Sequence, residues 1–330
     1  MNIAIIGATG LVGGTFIKIL QEENLHADNF YLFASSKSQG KIIKIFDKTY
    51  TAEALSEENI KNKKIDVAFF SAGGEISKNF VPIFVAKGCT VIDNSSYFRM
   101  RNDVPLVIPE VNEEEILNNN GIIANPNCST IQLAVILSLL HRQYGLKRVV
   151  VSTYQAVSGV GMKGIKELEK KSKNESSKIF GERIYSNVIP RIGNLFDNGY
   201  SEEENKIIKE TRKILKLPNL AITATCTRVP VYNCHSESIN IEFIKDYNLS
   251  NIEKLIKNAC EIGAIGDIML KYPTTIDANG KNLVFVGRLR RDYSVQNGIN
   301  LWCVADNLRR GAAFNAVKIF ESLIKFDKIN

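Results

Sequence analysis

The chain has 330 residues, of which 45% are hydrophobic and 23% charged, and a formal charge of +7: a soluble globular composition with length enough for two domains. No apolar run reaches the length of a membrane span, and Met1 leads straight into an apolar segment, so neither a bilayer partner nor a signal peptide is expected. The basic residues are scattered rather than gathered into an aromatic-laced stripe, and the six cysteines form no CxxC pair; this argues against nucleic acid, a zinc site or a disulfide framework, and for a small anionic substrate in a reducing cytoplasm.

Asn2–Ile6 reads as a short apolar strand. It runs into Gly7-Ala8-Thr9-Gly10-Leu11-Val12-Gly13 and then a helix with apolar positions at 16, 17, 19 and 20. A strand, glycine turn and helix in this order form a dinucleotide-binding start. Gly7 permits the tight turn, Gly10 lets the backbone approach a pyrophosphate, and Gly13 lets the helix pack closely. The second strand, Asn29–Ala34, ends in Ser35-Ser36-Lys37-Ser38. An acidic residue there bonds a ribose 2′-OH; hydroxyls and a lysine suit a 2′-phosphate, so the cofactor is read as NADP. Further apolar strands at 65–74, 88–94 and 121–124 predict a doubly wound, Rossmann-type parallel sheet over residues 1–124. The segment 95–112, with two prolines, reads as loop.

Asn125-Pro126-Asn127-Cys128-Ser129-Thr130 comes next, followed by more than three turns of apolar residues without Gly or Pro. Pro126 keeps a helix from starting earlier, so Cys128 is placed at a helix N-terminus. The dipole there favours a thiolate, and the unpaired N–H groups are expected to hold the oxyanion formed when sulfur attacks a carbonyl. Cys89, Cys260 and Cys303 read instead as small core residues.

The second half opens on a β-branched strand at Val149 and a glycine-bearing turn at Gly159, Gly161 and Gly164. A polar, loop-rich stretch is expected from Glu167 to Phe196, then an amphipathic helix from Glu202 to Leu215. Two alternating strands flank a turn carrying Arg228 and His235, and two more cover 283–289 and 298–305. They predict an α+β domain with a mainly antiparallel sheet. A last amphipathic helix runs from Leu308 to Phe326, capped by Asp306 or Asn307. Of the three histidines, His26 and His141 lie in incidental positions. A thiolate, an imidazole and a carboxylate-binding guanidinium from Cys128, His235 and Arg228 suit covalent catalysis.

The chain resembles the aspartate-semialdehyde dehydrogenase family along essentially its whole length. The resemblance is carried by GATGLVG at 7–13, the Asp93–Arg99 and Val104–Asn112 segments, PNCST at 126–130, STYQAVSG at 152–159, the RVPV and HS pair at 228–236, FVGRLRRD and DNLRRGAA. It implies NADPH-dependent reduction of L-aspartyl 4-phosphate to L-aspartate 4-semialdehyde, a step towards lysine, methionine, threonine and diaminopimelate. Cys128 is implied as the acyl-enzyme nucleophile, His235 as acid/base and Gln155 as the group orienting substrate. Arg228 is implied to bind the α-carboxylate, Arg99 and Lys206 the phosphate, and Glu203 to help at the amino group. Thr9, Gly10, Leu11, Val12, Lys37, Ser38, Ser158, Gly159 and Asn307 are implied to contact the cofactor. No metal is implied, and the family suggests a homodimer or homotetramer. Cys234 stands where the family often has Gly or Ala, and the stretch 164–194 looks shorter than in some relatives.

These readings divide the chain into an NADP-binding domain, 1–127 with 308–330, and a catalytic and dimerisation domain, 128–307. The rival in the same class is N-acetylglutamyl-phosphate reductase, against which Arg228 and the PNCST context argue. A non-catalytic nucleotide-binding paralogue is expected to lose the nucleophile or base. A redox sensor needs a partner thiol at useful spacing.

Overall fold

The computed structural model describes residues 1–170, 177, 179–264 and 266–328, which form two compact units: Met1–Pro126 with Ala312–Asn330, and Asn127–Gly311. In the first unit the strands are β1 (Asn2–Ile6), β2 (Asn29–Ala34), β3 (Ile42–Ile45), β4 (Lys48–Thr51), β5 (Glu53–Ala54), β6 (Val67–Phe70), β7 (Thr90–Asp93) and β8 (Ile122–Ala124). Six of them make a sheet in the order β5-β2-β1-β6-β7-β8, every pair parallel, while β3 and β4 form a separate antiparallel hairpin. The chain winds outward from β1 to β2 and back across β1 to β6, so the expected doubly wound sheet is present with its topological switch at β1. Both faces of such a sheet are covered, which is why β1 and β6 read as continuous apolar runs rather than alternating ones.

The helices between these strands are α1 (Leu11–Glu22), α2 (Glu57–Lys61), α3 (Gly74–Ala86) and the short α4 (Pro109–Asn112), which breaks up the segment expected to be loop. Phe16, Ile17, Ile19 and Leu20 of α1 enter one core with Ile3, Ile5, Leu32, Val67 and Phe69. Four buried side chains of roughly this size contribute about 1.5–3 kcal/mol each against exposure, so burial of the apolar stripe, more than helix propensity, holds α1 in place.

The second unit carries β9 (Leu146–Gln155), β10 (Ala221–Arg228), β11 (His235–Phe243), β12 (Ile262–Ala264), β13 (Val284–Asp292) and β14 (Gly298–Ala305). They form one mixed sheet, β10-β9-β11-β14-β13-β12, with antiparallel pairs in the middle and a parallel pair at each edge. β10 and β11, which read as neighbours across a turn, are separated by β9. Its helices are α5 (Cys128–Tyr144), α6 (Met162–Glu169), α7 (Glu202–Ile214), α8 (Leu249–Asn258) and the short α9 (Thr275–Ala278). α5 is buried along nearly its whole length, packed against β9 and β11 on one side and α7 on another.

The stretch expected to be loop-rich from Glu167 onward begins inside α6. Residues 171–176 and 178 lie outside the described residues, and from 179 to 196 the backbone is irregular, tied by an isolated bridge of Ile189 to Arg228. The C-terminal segment starts one turn later than read: Asp306 accepts the N–H groups of Leu308 and Arg309, a π-helical turn covers Arg309–Ala313, and only then does α10 (Phe314–Lys325) begin. Val317, Ile319, Phe320 and Leu323 of α10 return the chain to the core of the first unit. Among the described residues, no helix is long and apolar enough to cross a membrane.

Candidate active site

Cys128 is the first residue of α5. Asn127 before it has an extended backbone (φ −61°, ψ 145°), and its side-chain oxygen accepts the N–H groups of Ser129 at 3.0 Å and Thr130 at 3.2 Å. This is an N-cap of ordinary chemistry. It also corrects one expectation: those two N–H groups are spent on the cap and are not offered to an oxyanion. The cap is itself held from α7. Asn127 Nδ2 donates to Glu203 Oε1 at 2.8 Å, and the Asn127 backbone N–H donates to Glu210 Oε2 at 2.7 Å. Gly311 lies flat against the cysteine: a Cβ there would stand 2.9 Å from Cys128 Cβ.

Three strand ends supply the facing side chains. Gln155 closes β9, Arg228 closes β10 and His235 opens β11; in register Gln155 pairs with Arg228 on one side and with His235 on the other. The three therefore stand at one level of the sheet. Gln155 is fixed at both ends of its amide, with Oε1 accepting from Thr153 Oγ1 at 3.0 Å and Nε2 donating to Glu203 Oε1 at 3.0 Å. Glu203 also receives Lys206 Nζ at 3.4 Å. Burial raises the Glu203 carboxyl, but Lys206, the hydrogen bonds from Asn127 and Gln155, and the charge of Arg228 outweigh it and leave the group below the usual carboxylate range.

Arg228 is buried and donates from Nη1 to the Ala156 carbonyl at 2.7 Å. Burial lowers its pKa, while Glu203, Cys128 and Cys226 support its charge. The His235 ring is wholly buried, and its Nδ1 accepts the Ala156 N–H at 3.0 Å. Burial first, then the positive charge of Arg228, push its pKa down to about 3, with Glu203 opposing them. A Cβ on Gly159 would fall 2.9 Å from Arg228 Nη1 and 3.5 Å from His235 Nε2 and Cε1, so the absence of a side chain there leaves both groups room.

Beside this cluster, Cys234 adopts φ +72° and donates its N–H to Asn307 Oδ1 at 2.8 Å. Asn307 Nδ2 in turn donates to Ser158 Oγ at 3.0 Å. Two expected cofactor contacts, Ser158 and Asn307, thus hold each other and the backbone next to His235. Cys234 is a packed thiol whose pKa burial raises out of reach. One residue pair along the same strand face, Glu237 is fully buried, and burial pushes its pKa up to about 8, with the Cys303 thiol donating to it at 3.5 Å.

The remaining expected residues belong to the first unit. Gly7 has φ +86°, and a Cβ on it would meet the Ser71 carbonyl oxygen at 2.8 Å. A Cβ on Gly13 would lie 2.3 Å from the Gly7 oxygen. Gly10 is exposed and caps α1 with no side-chain hydrogen bond, and the first turn holds no acidic residue. A turn closed to side chains and an open helix N-terminus fit the phosphates of a dinucleotide. Thr9, Leu11 and Val12 lie in the same turn. Lys37 is exposed and Ser38 half-buried on a single 3₁₀ turn after β2, the strand next to β1. Arg99 is buried, and its guanidinium grips two carbonyls, Asn125 O at 2.9 Å and Asn94 O at 2.8 Å.

The second unit therefore brings together Cys128, Gln155, Glu203, Lys206, Arg228 and His235, whereas Arg99 belongs to the first. Asn127, Glu210, Glu237 and Gly311 were not read from the sequence as site residues. Asparagine directly before a helix start was a legible signal for the first; the others had none. Among the other residues, Cys260 is exposed rather than core, His26 stacks on Phe46, and His141 accepts the Leu146 N–H. Among the described residues, no group of acidic, histidine and cysteine side chains could hold a metal ion.

Residues 2–119 match the family description "Semialdehyde dehydrogenase, NAD binding domain", and residues 137–310 match "Semialdehyde dehydrogenase, dimerisation domain". Over 98% of both chains the protein is 48% identical to aspartate-semialdehyde dehydrogenase of Aquifex aeolicus. Its fold is similar, with a TM-score of 0.93 and 41% identity over 98% of each chain, to aspartate semialdehyde dehydrogenase II of Vibrio cholerae complexed with ASA. The Candida albicans enzyme, solved with NADP, is 25% identical over 98% of each chain with a TM-score of 0.76. These likenesses support a nicotinamide cofactor and an oligomer.

Proposed function

The chain belongs to the aspartate-semialdehyde dehydrogenase family, and from that premise we propose that it reduces L-aspartyl 4-phosphate to L-aspartate 4-semialdehyde and phosphate, using NADPH and a thioester on Cys128. The observation that carries the reading is the tie from the cap of the cysteine helix, Asn127, through Glu203 to Gln155, whose strand neighbours are Arg228 and His235. One buried carboxylate thereby ties the cap of the nucleophile's helix to the strand residue that lies between the guanidinium and the imidazole, and both of those are bonded to the Ala156 backbone. Such pre-organisation is what converts a bimolecular attack into a positioned one.

In this reading Cys128 attacks the acyl carbon, and His235 faces the acyl oxygen. Arg228 takes the substrate carboxylate; a guanidinium binds it in a planar, two-pronged fashion that a lysine does not offer. Glu203 is proposed to receive the amino group. A carboxylate has about four acceptor positions, and Asn127, Gln155 and Lys206 use three. Arg99 and Lys206 are proposed for the phosphate. A nicotinamide cofactor, when bound, supplies the hydride. Gly7, Thr9, Gly10, Leu11, Val12 and Gly13 are proposed to hold its pyrophosphate and Lys37 with Ser38 its 2′-phosphate, with Ser158, Gly159 and Asn307 added by the family resemblance. A homodimer built through residues 137–310, in the cytoplasm, completes the proposal.

The reverse reaction tests it. Phosphate-dependent reduction of NADP by aspartate semialdehyde is expected, with a weaker response to NAD. Cys128→Ala is expected to abolish turnover while cofactor still binds. Substantial activity in that variant overturns the thioester.

A further inference from the structure

We propose that Glu237 is a positioning residue of the reaction: facing Gln132 as a buried carboxylic acid against an amide, it sets α5, and with it Cys128, on the strands that carry Gln155 and Arg228. This rests on the reading above, in which Cys128 carries the acyl group. Neither Glu237 nor Gln132 meets the substrate.

Two periodicities place the pair. Gln132 stands four residues after Cys128 on α5, so it lies one turn further along the same helix face. Glu237 stands two residues after His235 on β11, so it lies on the same face of the sheet. Its neighbours in register are Thr153 on β9 and Cys303 on β14, and Thr153 in turn pairs with Cys226 on β10. Cys226, Thr153, Glu237 and Cys303 thus form a row behind Arg228, Gln155 and His235, and all four are fully buried. The row supports the one in front of it, because Thr153 Oγ1 donates to Gln155 Oε1 at 3.0 Å. Helix α5 packs across β9, β11 and β14, and its Gln132 is the side chain that acts on Glu237.

A proton on the carboxyl completes the hydrogen bonding. Glu237 Oε2 takes the Cys303 thiol at 3.5 Å, while Glu237 Oε1 and both polar atoms of the Gln132 amide are buried without a hydrogen-bond partner among the described residues. Such groups are costly. A carboxylate has no donor, so it can meet the amide N–H and leaves Gln132 Oε1 unmet. A carboxylic acid has a donor for that oxygen and an acceptor for the N–H. Only the acid matches the amide at both ends.

The surroundings keep the proton in place. Burial raises the Glu237 pKa to about 8, against smaller opposing pulls from Gln132 and Cys303, and no lysine or arginine is among the groups acting on it. The titratable groups in its row are thiols, Cys303 on β14 and Cys226 on β10, and burial raises both. Cys226 also feels Glu203 and Glu204 of α7, so the row already borders two carboxyl groups. Arg228 and His235 stand in the row ahead. Once the proton leaves, the match to Gln132 is lost and α5 loses its polar tie on this face. An alkaline limit on turnover then comes from a residue that touches no reacting atom.

Infrared difference spectra of the full chain against Glu237→Gln read the carboxyl without turnover. A carboxylic acid band is expected at neutral pH, giving way to carboxylate as the pH passes about 8. A carboxylate already at about pH 6 overturns the proposal and leaves the thioester reading untouched. The kinetic arm follows kcat in the reverse reaction. Glu237→Ala is expected to lower kcat roughly 10-fold near pH 7, and Glu237→Gln, whose amide still pairs with Gln132, to restore most of it. Parent kcat is expected to fall several-fold between about pH 8 and 9.5, and Glu237→Gln to lose that fall. Gln132→Leu is expected to lower kcat roughly 10-fold with KM within about 2-fold, as for a displaced nucleophile. An alkaline limb identical in the parent and Glu237→Gln, or parental kcat in Gln132→Leu, overturns the proposal.

Discussion

Two helices of this protein begin at the places proposed above for cofactor and nucleophile, and they begin in opposite ways. α1 starts at Gly10, with no side chain bonded to its first N–H groups. α5 starts at Asn127, whose side chain takes two of them, and whose amide and backbone N–H are in turn fixed by Glu203 and Glu210. Every α-helix has unsatisfied donors at its N-terminus. Left open in a glycine turn, they suit a phosphate. Closed by a cap, they make a rigid platform, and in the proposed reaction the work of meeting negative charge passes to side chains such as Arg228. A helix start is thus a resource whose use depends on the residue at the cap.

The largest effect is expected where the open terminus is closed. Gly10→Asp places a carboxylate at the cap of α1, and loss of charge-assisted bonds worth about 2–3 kcal/mol should weaken cofactor binding roughly 100-fold in a fluorescence titration. Unchanged affinity would remove the contrast between the two helices. Next comes the platform. Gly311→Ala drives a methyl group to 2.9 Å from Cys128 Cβ. It should cost about 1–3 kcal/mol in thermal melts and slow alkylation of Cys128. Removing the cap itself by Asn127→Ala should cost about 1 kcal/mol and lower kcat about 10-fold, with cofactor affinity unaffected. A cofactor-binding defect in that variant would show that α5 is also an anion site.

The smallest effect sharpens the comparison through pH. Glu237 binds a proton more tightly folded, at about pH 8, than its usual 4.5. Between those values the folded chain holds a proton the unfolded chain has lost, so its contribution to stability is full below pH 4.5 and is lost as pH rises through 8. His235 has the reverse sign, since its pKa falls from 6.5 to about 3; its contribution is present above pH 6.5 and lost as pH falls towards 3. Glu237→Gln should flatten the decline in melting temperature towards pH 8 and leave the acid side unchanged.

Much of the framework was legible before any tertiary contact. β1, β2 and β14 occupy the residues that pattern alone indicates, because apolar runs bounded by glycine or polar turns carry a local signal. The glycine turn, Pro126 and the cysteine that follows it were equally plain. The pairing of β9 between β10 and β11 was not, since a strand pattern says which face is apolar and nothing about which neighbour it meets. The helix α7 was legible, and the resemblance implied a part for Glu203, but its pattern did not show that Glu204 and Glu210 are buried as well. Glu204 closes a capping box with Ser201 and accepts the Cys226 N–H, while the other two hold Asn127.

By itself the amino-acid sequence determined where chain elements start and stop, and that one cysteine, one histidine and one arginine stand beside them. Steric limits on φ and ψ, side-chain periodicity and the missing N–H of proline act over a few residues and need no distant partner. Only the tertiary structure decided that Glu203 and Glu210 hold the Asn127 cap, that burial pushes the pKa of His235 down, and that Glu203 lies below the usual carboxylate range while Glu237 lies above it. Those properties are set by desolvation and by hydrogen bonds from residues tens of positions away, and folding alone brings these together.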